Sequence, residues 1–255
     1  MLRNITNFFR LIYILWQFIR YDVLYPATWT KGFKFVYFSL KLARYFRNRK
    51  YDSLRWGQRI ALALVKLGPS FIKFGQTLAT RSDLIGDDVA TDLTLLQDRL
   101  DPFSFKEAKS IVENETGMPI NELFSSFDEK PAAAASIAQV HYATTMNGED
   151  VAVKILRPQI ENAFASDLSL FKWIAKILEN YISRTKRLQP VKVVQIFANT
   201  IALEMDMRME AAAAAELAKN FEGDPDFKVP QIFWETTTKR VLTIERLSGC
   251  RPDDI

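Results

Sequence analysis

A lysine inside a strand-like run is the residue whose type and position first suggest chemistry in this chain. The run from Val151 to Leu156 is rich in β-branched residues and predicts a strand that carries Lys154. A lysine ammonium is a compact point charge on a flexible stem, which suits the oxygens of a phosphate group. Taken alone, such a lysine is more often a charge at a strand edge that faces water. The neighbouring sequence therefore decides between the two interpretations.

The sequence around Lys154 supplies the other parts of a phosphate-binding arrangement. Residues 131–136 are small and mostly alanine, residues 137–143 alternate like a strand, and Asn147-Gly148 is a turn signal. Together these features predict a β-hairpin. A long helix predicted at residues 191–221 carries several carboxylates, among them Glu210. Protein kinases use this same order of loop, lysine-bearing hairpin and glutamate-bearing helix to hold nucleotide phosphates.

Four motifs make the likeness specific to one family. The loop from Ala132 to His141 resembles the alanine-rich loop of UbiB-type atypical protein kinases, which replaces the glycine-rich loop of ordinary kinases. The other three motifs resemble the family's K-x-G-Q, Q-D-(R/K) and E-x-D signatures, and they are Lys73-Phe74-Gly75-Gln76, Gln97-Asp98-Arg99 and Glu204-Met205-Asp206. The four motifs occur in the family order and at family-like spacing. The resemblance runs from about residue 50 to the end.

The resemblance implies an ATP-binding site. Lys154 is expected to contact the nucleotide phosphates, and Glu210 is expected to pair with that lysine and hold it in place. The implied ATP-binding residues are Ala132, Ala133, Ala134, Ala135, Ser136, Ile137, Ala138, Gln139, Lys154, Glu210, Glu245, Arg246 and Leu247. Alanine does not share the freedom of glycine at positive φ, so we expect the loop to contact phosphate differently from a glycine-rich loop.

A second implied group has a regulatory role. Lys73 is expected to reach Glu204 and Asp206 from the helix that also carries Gly75 and Gln76. If residues 191–221 form one helix at 100° per residue, residues 204 and 210 lie about 120° apart around its axis. The carboxylates four residues apart, at positions 206 and 210, would then share a face.

The stretch from Val241 to Gly249 resembles the hinge strand of the kinase fold. Backbone groups around Glu245 to Leu247 would bind adenine, with Ile244 as the gatekeeper. The alternative is simply an apolar strand followed by a loop. His141 lies at the family's usual histidine in the alanine loop, and we interpret it as a structural hydrogen-bonding residue. Cys250 has no partner in view and receives no role.

Catalytic groups are expected elsewhere. The chain has one histidine and one cysteine, and it has no Cys/His cluster with zinc spacing. In the family, the catalytic-loop aspartate and the Mg²⁺ ligands follow the hinge, and this chain ends at Ile255, directly after it. We therefore expect ATP and Mg²⁺ as cofactors, no catalytic residue or metal ligand in this stretch, and no ATP turnover by these residues alone. The remaining half, with the family's C-terminal transmembrane region, would lie beyond Ile255.

The first 60 residues differ in composition from the rest. They hold twelve Lys and Arg against two acids, and 16 of the 32 aromatic residues. Residues 4–20 predict an amphipathic helix with Phe8, Leu11, Ile12, Leu15 and Ile19 at helical spacing, and residues 33–47 predict a second, aromatic helix. Packing on the body of the protein and contact with an anionic membrane surface both explain this pattern. No nucleic-acid motif accompanies the charge, so we expect no nucleic-acid partner.

These segments predict an α+β protein. Its parts are basic aromatic helices at 1–50, a helical K-x-G-Q extension at 51–125 and a kinase-like N-lobe at 126–255. No run reaches the roughly 18 apolar residues that span a bilayer, and no signal-peptide cleavage pattern follows the apolar run at residues 11–19.

The resemblance implies an atypical kinase or ATPase that supports ubiquinone biosynthesis. Its partners would be an anionic membrane surface and ubiquinone-biosynthesis proteins or lipid intermediates, at the cytoplasmic face of a bacterial inner membrane or the mitochondrial equivalent. The rival interpretation is a non-catalytic nucleotide- or lipid-binding scaffold, and a third is an inert gene piece.

Overall fold

A computed structural model describes residues 2–24, 42, 44–96, 101–181 and 183–249. It contains helices and an antiparallel sheet, which confirms the predicted α+β class. The chain divides into two compact units, residues 1–97 with 162–197 and residues 98–161 with 198–255. The predicted domain boundaries after residues 50 and 125 stay predictions.

The structure assigns ten α-helices and five strands within the described residues. The helices are α1 (Leu2–Arg20), α2 (Trp56–Leu67), α3 (Pro69–Ala79), α4 (Ser82–Ile85), α5 (Asp87–Leu93), α6 (Phe105–Thr116), α7 (Ile120–Leu123), α8 (Ile160–Tyr181), α9 (Pro190–Glu204) and α10 (Met207–Asn220). The strands are β1 (Phe124–Phe127), β2 (Ala133–Ala134), β3 (Ala138–Thr145), β4 (Asp150–Leu156) and β5 (Val241–Glu245). The predicted β-hairpin and the helices predicted at 4–20 and 161–180 are therefore confirmed. The helix predicted at 33–47 falls mostly on residues outside the described ranges.

The first unit is helical, and polar contacts fix α1 in it. Arg10 of α1 donates to Asp167 of α8 at 3.0 Å and to the Leu67 carbonyl at 3.0 Å. Asp167 is nearly fully buried, so its charge needs this partner. Asn7 and Gln17 of α1 are also buried. The face of α1 that packs on the unit thus combines these polar side chains with Ile14, which is also buried.

The opposite face of α1 is apolar and lies in water. Its exposed large side chains are Ile5, Phe8, Phe9, Ile12, Tyr13, Leu15 and Trp16. This arrangement is the reverse of an ordinary surface helix, which turns its apolar stripe toward the core. Within the described residues, no helix is long and apolar enough to cross a bilayer.

The second unit contains the sheet. The strand order is β1-β3-β4-β5, and all neighbours are antiparallel. Strand β2 pairs with Gln139 and Val140 of β3, on the edge of β3 that β1 also uses. Helix α6 packs on one face, where Ala108 and Val112 meet Val151, Val153 and Ile155. These side chains are almost fully buried, so burial of apolar area stabilises this layer. Lys154 alternates with Val153 and Ile155 and therefore points to the other face.

The long helix predicted at 191–221 is wrong, because the chain leaves the helical conformation at Met205 and Asp206. Asp206 has φ −119° and acts as the N-cap of α10, accepting a hydrogen bond from the Arg208 amide at 3.2 Å. Aspartate favours this position because its side chain satisfies an amide that has no partner within the helix. The predicted helical separation of Glu204, Asp206 and Glu210 is therefore also wrong. Only Glu210 lies inside α10, in its first turn.

The cap at Asp206 has a measurable contribution to stability. We expect Asp206→Ala to lower the free energy of unfolding by about 1 kcal/mol, because the amide at the start of α10 loses its acceptor. Asp206 also forms an ion pair with Arg208, with Nη2 and Oδ2 2.6 Å apart. Asp206→Asn is the matched control, since asparagine caps as well as aspartate but removes the charge of this pair. Urea denaturation measures both variants. Equal stability of Asp206→Ala and the parent chain would contradict the cap.

Candidate functional site

Lys154 and Glu210 form the predicted ion pair. Lys154 Nζ lies 2.9 Å from Glu210 Oε1 and 2.8 Å from Oε2. The lysine side chain is 28% exposed and the glutamate side chain 51% exposed, so the pair lies at a water-accessible edge rather than in an apolar interior. A pair this exposed adds little to stability, so its main effect is to position the lysine ammonium.

The sheet and α10 each fix one partner of the pair. Lys154 is held between Val140 on β3 and Leu242 on β5 by the antiparallel ladders. Helix α10 is held by Met207, which is fully buried and whose amide donates to the Lys239 carbonyl at 2.9 Å. The backbones of β4 and α10 therefore fix where the Lys154 ammonium and the Glu210 carboxylate meet. This leaves one of the three lysine N–H groups for a ligand.

The alanine loop is a tight turn between β2 and β3. Ala133 and Ala134 pair with Val140 and Gln139, and the Ala135 amide donates to the Ala138 carbonyl at 2.8 Å. Of the described residues, those with positive φ all lie outside this loop. Alanine therefore fits every position without strain, and the loop has no need of glycine.

Two residues of the loop motif point into the protein. Gln139 and His141 are fully buried on the face opposite Lys154, and their side chains are 2.8 Å apart. The side-chain amide of Gln139 also accepts a hydrogen bond from the Phe103 N–H at 3.0 Å and donates one to the Phe103 carbonyl at 3.4 Å. Any contact of Gln139 with a nucleotide would therefore use its backbone. His141 Nδ1 lies 2.7 Å from the Asp128 carbonyl, which is the structural hydrogen bonding predicted for it.

The hinge residues are largely committed to the protein. The Glu245 amide donates to the Gln231 carbonyl at 2.8 Å, and the Arg246 amide donates to the Asp150 carbonyl at 3.0 Å. Lys228 binds the Glu245 carboxylate and holds its pKa below the usual range. An adenine ring that needs an amide donor here would therefore take it from Leu247.

The Arg246 side chain forms a contact that the sequence did not indicate. Its guanidinium carbon lies 3.7 Å from the centre of the Tyr142 ring. The tyrosine belongs to the same sheet face as Lys154, because it is two residues from Val140. This cation–π contact ties the hinge to β3.

The K-x-G-Q residues lie in the first unit. A side chain at Gly75 would overlap Leu64 and Leu96, so glycine permits the close approach of α2, α3 and Leu96. The Gln76 amide donates to the Leu96 carbonyl at 2.9 Å. These contacts give Gly75 and Gln76 a structural role. Lys73 belongs to this unit, and its predicted contact with Glu204 and Asp206, which belong to the other unit, stays a prediction.

An apolar cavity of about 560 Å³ lies in the first unit. Helices α3, α8 and α9 line it, and among the described residues the charged one in the lining is Arg81. The lining residues are Phe74, Arg81, Leu84, Phe171, Ile174, Ala175, Leu178, Leu188, Pro190, Val193, Val194 and Phe197. In the described part of the chain, no three His, Cys, Asp or Glu residues are grouped as metal ligands. The predicted motif at residues 97–99 and Cys250 lie outside the described residues.

Arg157 is a further residue that sequence reasoning missed. The sequence indicated only that Arg157-Pro158 ends a strand, whereas the structure places the Arg157 side chain against the alanine loop. The contact joins residues 22 positions apart, so no local pattern could have found it.

Comparisons with known proteins agree with this geometry. Residues 95–255 match the family model described as the ABC1 atypical kinase-like domain. The chain is 44% identical to a "Probable protein kinase UbiB" of Marinobacter nauticus over 252 residues, which cover 98% of this chain and 46% of that protein. It is 42% identical to the protein of the same name from Pseudomonas aeruginosa over 212 residues, 83% of this chain and 40% of that protein.

A solved structure is also similar. The complex structure of Rv3197-erythromycin from Mycobacterium tuberculosis aligns with a TM-score of 0.51 and 28% sequence identity, over 69% of this chain and 43% of that chain. The chain spans somewhat less than half the length of these relatives.

The buried His141 predicts a specific pH response. Burial lowers its pKa below the ordinary 6.5, although the Asp128 carbonyl partly opposes this. Because the unfolded chain then takes up a proton more readily than the folded one, this contribution to stability is complete above about pH 6.5 and is lost as the pH falls below it.

Titration of the histidine by NMR measures this response directly, since the chain has a single histidine. We expect a midpoint below 6.5 in the folded chain and a midpoint near 6.5 in urea, which serves as the control. A folded-state midpoint at or above the value in urea would contradict the burial argument.

Proposed function

Because the chain belongs to the ABC1 atypical kinase-like family, we propose that it binds the phosphates of Mg²⁺-complexed ATP at Lys154, with the alanine loop above them and adenine at the hinge. The observation that carries this proposal is the ion pair between Lys154 and Glu210, at 2.8 Å. It holds a partly exposed ammonium on the sheet face opposite the core, next to the loop. A fixed cation beside backbone amides is suited to phosphate oxygens.

Each part of the proposed site has a separate task. Lys154 neutralises phosphate charge, Glu210 keeps the ammonium from swinging into solvent, and Leu247 donates its amide to adenine. Magnesium, when bound, would offset the negative charge of the phosphates. Holding phosphate is binding and does not by itself accelerate a reaction. The activity of the whole protein as an atypical kinase or ATPase that supports ubiquinone biosynthesis is part of this proposal, supported by the UbiB-named relatives.

Loss of the Lys154 charge tests the site. We expect Lys154→Met to weaken Mg·ATP binding by about 10- to 100-fold, because a charge-assisted contact contributes roughly 1.5–3 kcal/mol. Glu210→Gln should have a smaller effect, since the lysine keeps its charge and loses only the carboxylate that positions it. Isothermal titration calorimetry on the chain measures both variants.

Lys109→Met is the matched control for this experiment. Lys109 is an exposed lysine of the same unit and pairs with Glu113 at 3.8 Å, away from the sheet face of Lys154. Its removal should leave the ATP affinity unchanged. If Lys154→Met and Lys109→Met bind ATP equally well, the proposed site is wrong.

A second proposal concerns a membrane surface, and the outward apolar face of α1 supports it. The 3₁₀ turn at Arg44–Phe46 lies beside this face, with the rings of Trp16 and Phe46 6.1 Å apart. The Asn48 amide donates to the Arg20 carbonyl at 2.9 Å, which brings the basic stretch at 47–50 to the end of α1. Aromatic rings next to basic side chains suit the headgroup layer of an anionic membrane.

This surface would place the protein at the cytoplasmic face of a bacterial inner membrane or its mitochondrial equivalent. The apolar cavity of the first unit would bind the hydrocarbon tail of a lipid intermediate at this membrane. The other partners would be proteins of ubiquinone biosynthesis. A non-catalytic lipid-binding scaffold uses the same two features. It differs from the kinase-like proposal in needing no Lys154.

Liposome sedimentation tests the surface. We expect the chain to sediment with vesicles that contain anionic lipid, less so at high salt, and Phe9→Asp to reduce sedimentation severalfold because it puts a carboxylate among lipid chains. Leu95→Asp is the matched control, since Leu95 is about as exposed as Phe9 but lies just after α5 and outside the cavity lining. Sedimentation of Phe9→Asp at the parent level would rule out this face as the contact.

A further inference from the structure

Arg157 binds the alanine loop at both of its ends. Its amide donates to the Ile137 carbonyl at 2.9 Å, and its Nε donates to the Ala135 carbonyl at 3.0 Å. Its Nη1 donates to the Asp101 carbonyl at 3.0 Å, and the guanidinium lies 5.7 Å from the centre of the Phe103 ring. One residue therefore joins the loop to the segment that precedes α6.

These contacts come from the sheet face opposite Lys154. Phe103 contacts both Arg157 and Gln139, and Gln139 alternates with Val140, which lies opposite Lys154 on the ladder. The Ala135 carbonyl is thus drawn away from the Lys154 face. Because the peptide bond is planar and trans, the N–H of the same peptide group points away from the Ala135 carbonyl.

The position of Arg157 relative to Lys154 is fixed by strand β4. Arg157 directly follows β4, whose last pair is Leu156 with Ala138, the residue that closes the loop turn. Its own carbonyl accepts from Arg240 Nη2 at 3.0 Å, so the backbone at Arg157 is held as well. A turn bound to this residue therefore keeps a constant position relative to the Lys154 ammonium.

Partial burial of the Arg157 guanidinium carries a cost that offsets part of what its hydrogen bonds contribute to stability. Its Nη2 is buried without a hydrogen-bond partner among the described residues, and burial lowers the pKa of the guanidinium. A buried donor without an acceptor opposes folding. Replacement by an apolar side chain of similar length is therefore expected to leave the fold intact.

We infer that Arg157 is a positioning residue that clamps the alanine loop over the nucleotide phosphates, so that phosphate binding depends on a residue that touches no nucleotide. The inference rests on the proposed nucleotide site. A loop that is already ordered loses less conformational freedom when it closes on a ligand, which strengthens binding without a new contact. The clamp should affect ATP more than adenosine, because only ATP has phosphates under the loop.

Amide hydrogen exchange and nucleotide binding together test the clamp in the full chain. In Arg157→Met we expect the Ala132 and Ala135 amides to exchange at least about tenfold faster, while amides of β4 and β5 keep their protection. Affinity for Mg·ATP should fall by roughly tenfold, with adenosine affinity unchanged. Arg157→Lys should restore part of both effects, because an ammonium reaches only one of the two carbonyls at a time.

Lys109→Met is again the control, since Lys109 is an exposed cation of the same unit that pairs with Glu113 on α6 at 3.8 Å. It should change neither quantity. Unchanged loop exchange in Arg157→Met overturns the clamp. Faster loop exchange with unchanged ATP affinity overturns its link to the nucleotide. Failure of the parent chain to bind ATP while Arg157→Met loosens the loop instead overturns the proposed nucleotide site and leaves the contact itself established.

Discussion

The ion pair between Lys154 and Glu210 connects strand β4 to helix α10, which make few other contacts with each other. The packing of the rest of the second unit determines whether this ion pair can form. Because both side chains are partly in water, the pair is too weak to pull α10 onto the sheet. The helix is held instead by the buried Met207 and Ala211 and by the bond from the Met207 amide to Lys239. The hydrophobic layer under β4 supplies the stability. Because the packing fixes both backbones, the ion pair holds the Lys154 ammonium in one position.

Helix α1 shows the opposite division of polar and apolar groups, and the same physical rule explains it. A buried carboxylate such as Asp167 requires a cation, so Arg10 and its polar neighbours turn inward. The aromatic side chains have no place on that face and remain outside. A helix anchored by polar bonds keeps its apolar face available without needing that face for folding. The sequence pattern of α1 is the same whichever face is inward, so only the partners in α8 decide it.

Local patterns were sufficient to predict the hairpin and the strand with Lys154, because strand alternation and turn residues act over a few positions. The pairing of Lys154 with Glu210 was instead implied by the family resemblance, since the two residues lie 56 positions apart. Local patterns failed at the break between α9 and α10. The alanine run that follows it is a strong helix former, and the position three residues after Asp206 is a methionine, so the usual capping signature is absent. The inward position of Gln139 could have been predicted from its alternation with Val140. The contacts of Arg157 and of Arg246 could not, since each joins distant segments.

An alanine loop and a glycine loop differ in how each reaches its ligand-binding conformation. A glycine loop is flexible and becomes ordered around its ligand, at a cost in conformational entropy. An alanine loop has fewer conformations to lose, but it also cannot take up positive φ to adapt its peptide groups to a phosphate. Its peptide orientation must then be correct before the ligand arrives. Carbonyl groups held from behind, as Ala135 and Ile137 are by Arg157, provide that orientation. Substituting glycine into such a loop without removing the arginine would restore freedom at one residue while both ends stay bound, so the clamp rather than the alanine side chains would continue to set the direction of the peptide groups.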